Sequence, residues 1–151
     1  MGIKATYNKN DILESFDQQI SDFREDIIAQ FISIGKRAVD IAVRDGNYKN
    51  RTGVLRSSIG CGVSFNGVLQ YEYGFTSFPP EGSEGARIGR RFLREKLTSN
   101  VRRNTITLVV VAGAQHAEFV EKDFSVLRDG ASFMERSVNS ILVSLNVISN
   151  E

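Results

Sequence analysis

Apolar residues recur at steps of three and four from Leu13 through Phe16, Ile20, Phe23, Ile27, Phe31, Ile34 and Ala38 to Ile41. Such spacing keeps one stripe on one side of a helix. It predicts a single long helix from about Asp11 to Arg44, opened by a capping box of Asp11 and Glu14 and closed by Asp45-Gly46-Asn47. A rod of that length reaches roughly 50 Å, longer than a globule of this size is wide. Either Gly35 breaks the helix, or part of it projects and packs against another subunit. Projection is the favoured reading, and it makes Phe16, Ile20, Phe23, Ile27 and Phe31 candidate subunit-interface residues.

From Val54 the period falls to two, with Leu55, Ile59, Cys61 and Val63 on one face and Arg56, Ser58, Gly60 and Gly62 on the other. Asn66-Gly67 supplies a tight hairpin turn, and the return strand places Leu69, Tyr71, Tyr73 and Phe75 inward. Thr105 to Ala112 is β-branched almost throughout, which predicts a central strand covered on both faces. His116 to Glu121 reads as a short fourth strand or strand-like segment. A second helix is expected to open near Ser132, paired with Glu135, and to carry the stripe Met134, Val138, Ile141, Leu145 and Ile148. The fold class expected is α+β: a long N-terminal helix and a C-terminal helix packed on a small antiparallel sheet of about four strands. One domain spans residues 1–151.

Residues 76–104 interrupt that scaffold with a long polar stretch, read as an inserted loop or arm. Pro79-Pro80 bars regular structure locally, Gly82, Gly85 and Gly89 add freedom, and Ile88 to Leu97 has room for a short helix. Between Arg87 and Arg103, the seven cations Arg87, Arg90, Arg91, Arg94, Lys96, Arg102 and Arg103 stand against one carboxylate, Glu95. Arginine forks suit carboxylate and phosphate partners alike. The expected partner-binding set is therefore Phe78, Arg87, Arg90, Arg91, Phe92, Leu93, Arg94, Arg102 and Arg103, with the arm ordering when it meets its partner.

Composition narrows the function classes. The chain's 151 residues suffice for one continuous core, and 41% apolar with 25% charged residues is the balance of a folded, soluble protein. Nineteen basic against 18 acidic residues leave a charge of +1, which argues against a surface devoted wholly to nucleic acid yet permits a basic patch. The lone Cys61 excludes an internal disulfide and a multi-cysteine zinc site, and its place on an apolar strand face makes it a core residue. No apolar run is long enough to span a membrane and the opening residues lack the apolar core of a signal peptide, so a reducing, aqueous compartment is expected. His116 is the only histidine, which rules out histidine-rich metal sites, and Glu118 and Glu121 stand beside it without a nucleophile. Gly60-x-Gly62 precedes no helix and is no nucleotide fingerprint. No catalytic set, cofactor or metal is expected, leaving recognition or assembly.

Two segments carry a resemblance. Asn50-Arg51-Thr52-Gly53-Val54-Leu55-Arg56-Ser57-Ser58-Ile59 follows the long helix, and His116-Ala117-Glu118-Phe119-Val120-Glu121 follows the β-branched strand. Together they resemble the small neck and tail-completion proteins of long-tailed phages, which join head to tail. Thr52, Gly53, Leu55, Ser58 and Ile59 match a pattern close to TG-x-L-x-x-S-I. His116, Ala117, Phe119, Val120 and Glu121 approach an aromatic-Ala-x-aromatic-Val-Glu pattern, with His116 in place of the first aromatic residue. Lys122-Asp123 stands where Gly-Thr is usual, and Ala131-Ser132-Phe133-Met134 where a Pro-Phe-Leu segment opens the final helix. The resemblance implies a non-enzymatic ring subunit of the virion neck or tail end, assembled in the host cytoplasm. Its implied partners are copies of itself and other neck or tail proteins, with no membrane; DNA contact is possible but a protein partner is favoured. The alternative is a small nucleic-acid-binding module using the basic cluster from Arg87 to Arg103. A small hydrolase built on His116 is a distant third.

Overall fold

The computed structural model describes residues 1–123 and 125–145. Its elements in chain order are α1 (Lys9–Arg44), α2 (Val54–Ser57), β1 (Ile59–Phe65), β2 (Val68–Gly74), α3 (Gly82–Thr98), β3 (Ile106–Ala112), α4 (Ala117–Asp123) and α5 (Arg128–Ser144). The fold is α+β, with a long N-terminal helix, a C-terminal helix and an antiparallel sheet. Among the described residues the sheet has three strands in the order β2-β1-β3, not about four.

The helix α1 runs unbroken for 36 residues. Asn8 caps it, its side-chain oxygen accepting the Asn10 N–H at 2.9 Å, so Asp11 and Glu14 lie inside the first turns rather than forming the cap. Gly35 does not break the helix. A side chain there would meet Cys61 Sγ and Leu108 Cδ1 at 2.9 Å each, so the glycine lets the helix sit directly on the sheet. At the far end no left-handed residue closes the helix; Asp45 caps it at φ −97, and the Tyr48 hydroxyl donates to the Ala42 carbonyl at 3.2 Å.

β1 is the central strand, and its two faces differ. Ile59, Cys61 and Val63 join Val39, Ala42 and Leu55 in a core beneath α1. The opposite face offers Gly60, Gly62 and Ser64, a shallow trough of small residues. The hairpin to β2 turns on Asn66 and Gly67 at φ 53 and 77, as the Asn-Gly pair predicts. A register shift between Val63 and Ser64 departs from simple alternation. It leaves Tyr71 and Tyr73 under Lys36 on the α1 side but turns Leu69 toward Gly62 and α3. β3 is covered on both faces, by Leu108 toward α1 and by Val109 and Val111 toward α3, yet it is an edge of the ladder rather than its centre.

Within the stretch expected as a loop or arm, Gly82–Thr98 forms α3, a 17-residue helix, longer than the short helix expected at Ile88 to Leu97, that covers the second face and adds a third layer. Its glycines pack rather than flex. Gly82, Gly85 and Gly89 fall at helical spacing on the face that also buries Ala86, Leu93 and Leu97. A Cβ at Gly89 would stand 2.5 Å from the Ser58 carbonyl oxygen, and one at Gly62 would meet Leu93 Cδ2 at 2.9 Å. Small residues on both partners thus bring helix and sheet together, with Leu93 and Leu97 over Gly62 and the Phe75 ring over Gly60.

Two further expectations are revised. Val54 to Ser57 is a helical turn, launched by Gly53 at φ 81, so the strand begins only at Ile59. His116 to Glu121 leads into α4, because a six-residue alternation is too short to exclude a helix that turns Ala117 and Val120 to the core together. α5 begins at Arg128, four residues before Ser132, and lies against α1, with Gly130 close to the Ala38 carbonyl. Ile148 of the expected stripe lies outside the described residues.

Candidate assembly surface

The sheet is too short for α1. Residues 34–42 of the helix supply its buried positions, Arg24 lies 4.7 Å from the centre of the Phe65 ring at the end of β1, and everything before that runs past the hairpin. Every residue from Lys9 to Ile20 is exposed, including the apolar stripe of Ile12, Leu13, Phe16 and Ile20. Phe16 is 57% and Ile20 64% exposed, although both continue the line of residues buried farther along. Where the arm leaves the body, Ile20, Phe23, Ile27 and Phe31 join Phe65, Ile106, Ile141 and Leu145 around a groove of about 470 Å³. The candidate interface residues on α1 are therefore brought together on one free surface.

The basic cluster divides. Arg90 bonds Glu72 at 2.7 Å and lies over Phe75, tying α3 to β2. Arg87 pairs with Glu84 along the helix, which draws the Glu84 carboxyl below its ordinary value, and Arg91 lies 3.6 Å from Glu95. Arg94, Arg102 and Arg103 are exposed and have no carboxylate in ion-pair reach among the described residues. Two expected arm residues are scaffold instead: Leu93 is wholly buried, and Phe78 donates its backbone N–H to Ser57 Oγ at 2.8 Å under the Arg56 guanidinium. Phe92 is half-buried, with Lys96 over its ring.

The two motif segments meet in the core rather than at this surface. Ser58 Oγ donates to the Leu55 carbonyl at 2.7 Å and accepts the N–H of Ala114, just ahead of the second segment, at 3.1 Å. Leu55, Ile59, Ala117 and Val120 belong to one apolar cluster. Thr52 Oγ1 accepts the Val54 N–H at the turn that Gly53 forms. Glu121 accepts the N–H groups of Val126, Leu127 and Arg128 at 2.6, 2.8 and 3.1 Å, a carboxylate cap at the start of α5. His116 is exposed at the turn before α4, and the Phe119 side chain lies outside the described residues.

The titratable groups of Cys61, Tyr73 and Tyr48 are shifted by burial and by their partners. Burial pushes the Cys61 thiol up to about 12, with the Asp40 and Glu72 carboxylates adding to the effect, so it stays protonated and unreactive. Tyr73 donates to Asp40 at 3.0 Å, which raises its hydroxyl above the ordinary value, and burial does the same for Tyr48. Among the described residues no three His, Cys, Asp or Glu side chains gather as a metal site, and no helix is long and apolar enough to cross a membrane. The chain matches no family model, no curated protein and no solved structure.

Proposed function

We propose that the chain is a non-enzymatic virion structural protein, a ring subunit of the phage neck or tail end that joins head to tail through contacts between subunits. The observation that carries this reading is the arm of α1, whose apolar stripe is exposed from Ile12 to Phe23 while the same helix is buried farther along. A patch of that kind on a small domain marks a surface that another chain covers. The resemblance of the Thr52–Ile59 and His116–Glu121 segments to neck and tail-completion proteins supports the class, since these residues build the junction of α2, β1 and α4. Copies of the chain and neighbouring neck or tail proteins are the partners, in a virion assembled in the host cytoplasm. A reconstruction of the assembled particle tests the reading. Copies packed against one another through α1 are expected, and a particle in which no copy touches an identical one refutes it.

One observation favours a second reading, a nucleic-acid-binding module. The exposed Arg94, Arg102 and Arg103 have no carboxylate partner among the described residues. Under that reading the purified chain binds duplex DNA with an affinity that falls steeply with salt. A protein-facing surface gives little duplex affinity near physiological salt.

A further inference from the structure

Two groups among the large exposed apolar side chains lie in surroundings of opposite charge. The first is the stripe on the α1 arm. Between Lys9 and Asp26 the helix carries six carboxylates against two cations, Lys9 and Arg24. Helical spacing sets Asp17 on one edge of the stripe and Asp22 and Asp26 on the other. None of these carboxylates lies in an ion pair among the described residues.

The second group crowns the hairpin. Val68, 64% exposed, follows the turn, and Val101, 49% exposed, lies over Gly67. The Asn66 N–H donates to the Thr105 carbonyl at 3.0 Å, which holds the segment after α3 against the turn. That segment brings Arg102 and Arg103 to the hairpin tip, with Lys96 and Arg94 in the last turns of α3 behind it. One chain thus offers an acidic apolar ridge and a basic apolar tip.

Within one molecule α1 passes beside the hairpin, where Arg24 covers Phe65 and Ile20 lines a groove with Asn104, and the continuous helix carries Phe16 beyond that point with no hinge by which to return. We infer that the α1 arm of one copy docks on the hairpin tip of a second copy, Phe16 and Ile20 covering Val68 and Val101 while Asp17 and Asp22 face Arg102 and Arg103. This rests on the self-association proposed above and names its contact. Each copy offers both surfaces, so the contact repeats from copy to copy. Complementary charge beside an apolar centre also fixes direction and register.

Exchange of charge tests the contact in the full-length protein. One variant carries Asp17→Lys with Asp22→Lys, the other Arg102→Glu with Arg103→Glu. All four positions are exposed, so both variants should unfold at the temperature of the unmodified protein. Sedimentation velocity over a concentration series at low salt should show each variant alone associating at least about tenfold more weakly. An equimolar mixture of the two should recover association, because each reversed arm then finds a reversed tip. Added salt should weaken the unmodified assembly. Variants that associate as the unmodified protein does, or a mixture that stays as weak as its components, overturn the contact while leaving self-association through another surface intact. An unmodified protein that stays monomeric at every concentration overturns the contact as well. The assembly reading itself falls only on a particle whose copies do not touch.

Discussion

Replacing Leu93 by alanine measures whether α3 is part of the fold or an arm waiting for a partner. The side chain is fully buried, and its Cδ2 lies 2.9 Å from where a Cβ on Gly62 would stand, so it occupies the trough that the glycines of β1 leave. Truncation there opens a cavity that the structure has little freedom to close. α3 already rests on the sheet through Gly89, where a Cβ would be 2.5 Å from the Ser58 carbonyl and 2.7 Å from the Phe75 ring, and Gly113 abuts the same glycine. With the helix unable to move inward, the loss belongs in the upper part of the range for buried leucines, about 3–4 kcal/mol. Urea unfolding followed by circular dichroism reads this directly. With a denaturant slope of about 2 kcal/mol per molar for a chain of this size, the midpoint should fall by about 1.5–2 M. Arg94→Ala on the outer face of the same helix should change stability by no more than about 0.5 kcal/mol. A loss below about 1 kcal/mol for Leu93→Ala would refute the reasoning, because α3 would then lie outside the cooperative core.

Other substitutions separate the remaining roles. Arg90→Ala should cost about 1 kcal/mol, since it removes a half-exposed ion pair and a ring contact, and should add little once Glu72→Gln is present; full additivity in that double-mutant cycle would refute the pairing. Glu121→Ala strips three N–H groups of their acceptor at the start of α5 and should cost about 1–2 kcal/mol, with a lower unfolding temperature; an unchanged temperature would mean the cap contributes nothing. Cys61 should resist thiol reagents at neutral pH in the folded protein and react on unfolding. Because its folded value, about 12, exceeds the ordinary thiol value, its contribution is full below about pH 8.5 and drains away as pH climbs from there toward 12. The unmodified protein should then lose about 1 kcal/mol more stability per pH unit above pH 9 than Cys61→Ala; parallel pH curves would contradict this.

The elements legible in the sequence are those whose signal is local. The stripe of α1 repeats over its whole length, and Asn66-Gly67 fixes a turn wherever two alternating strands flank it. α3 is hard to see in the sequence because glycine carries two meanings. As a free residue Gly82, Gly85 and Gly89 suggest a mobile loop, but at steps of three and four beside Ala86, Leu93 and Leu97 they are the thin side of a helix seated on a strand. Gly60 and Gly62, two apart on β1, are the matching signal, and only the tertiary pairing makes either set interpretable. The same holds for Arg90: its partner Glu72 is distant in sequence, so its role as a tie rather than a free cation is invisible before the chain folds.

The exposed arm follows from length alone. A strand of seven residues spans about 23 Å, whereas the 36 residues of α1 span about 54 Å. The sheet can therefore shelter less than half of the helix. α5 covers another portion, but its 17 residues end beside Ile20 and Phe23, at the groove closed by Leu145. What remains is an exposed apolar stripe, with Tyr7 of the N-terminal segment beside Ile12 and Phe16. None of Ile12, Leu13 or Phe16 touches the core. Under the proposed assembly reading, this exposed stripe, in phase with the buried half, is the part of the helix that another molecule covers. The hairpin tip, with its apolar centre and opposite charge, is where this chain presents a matching surface.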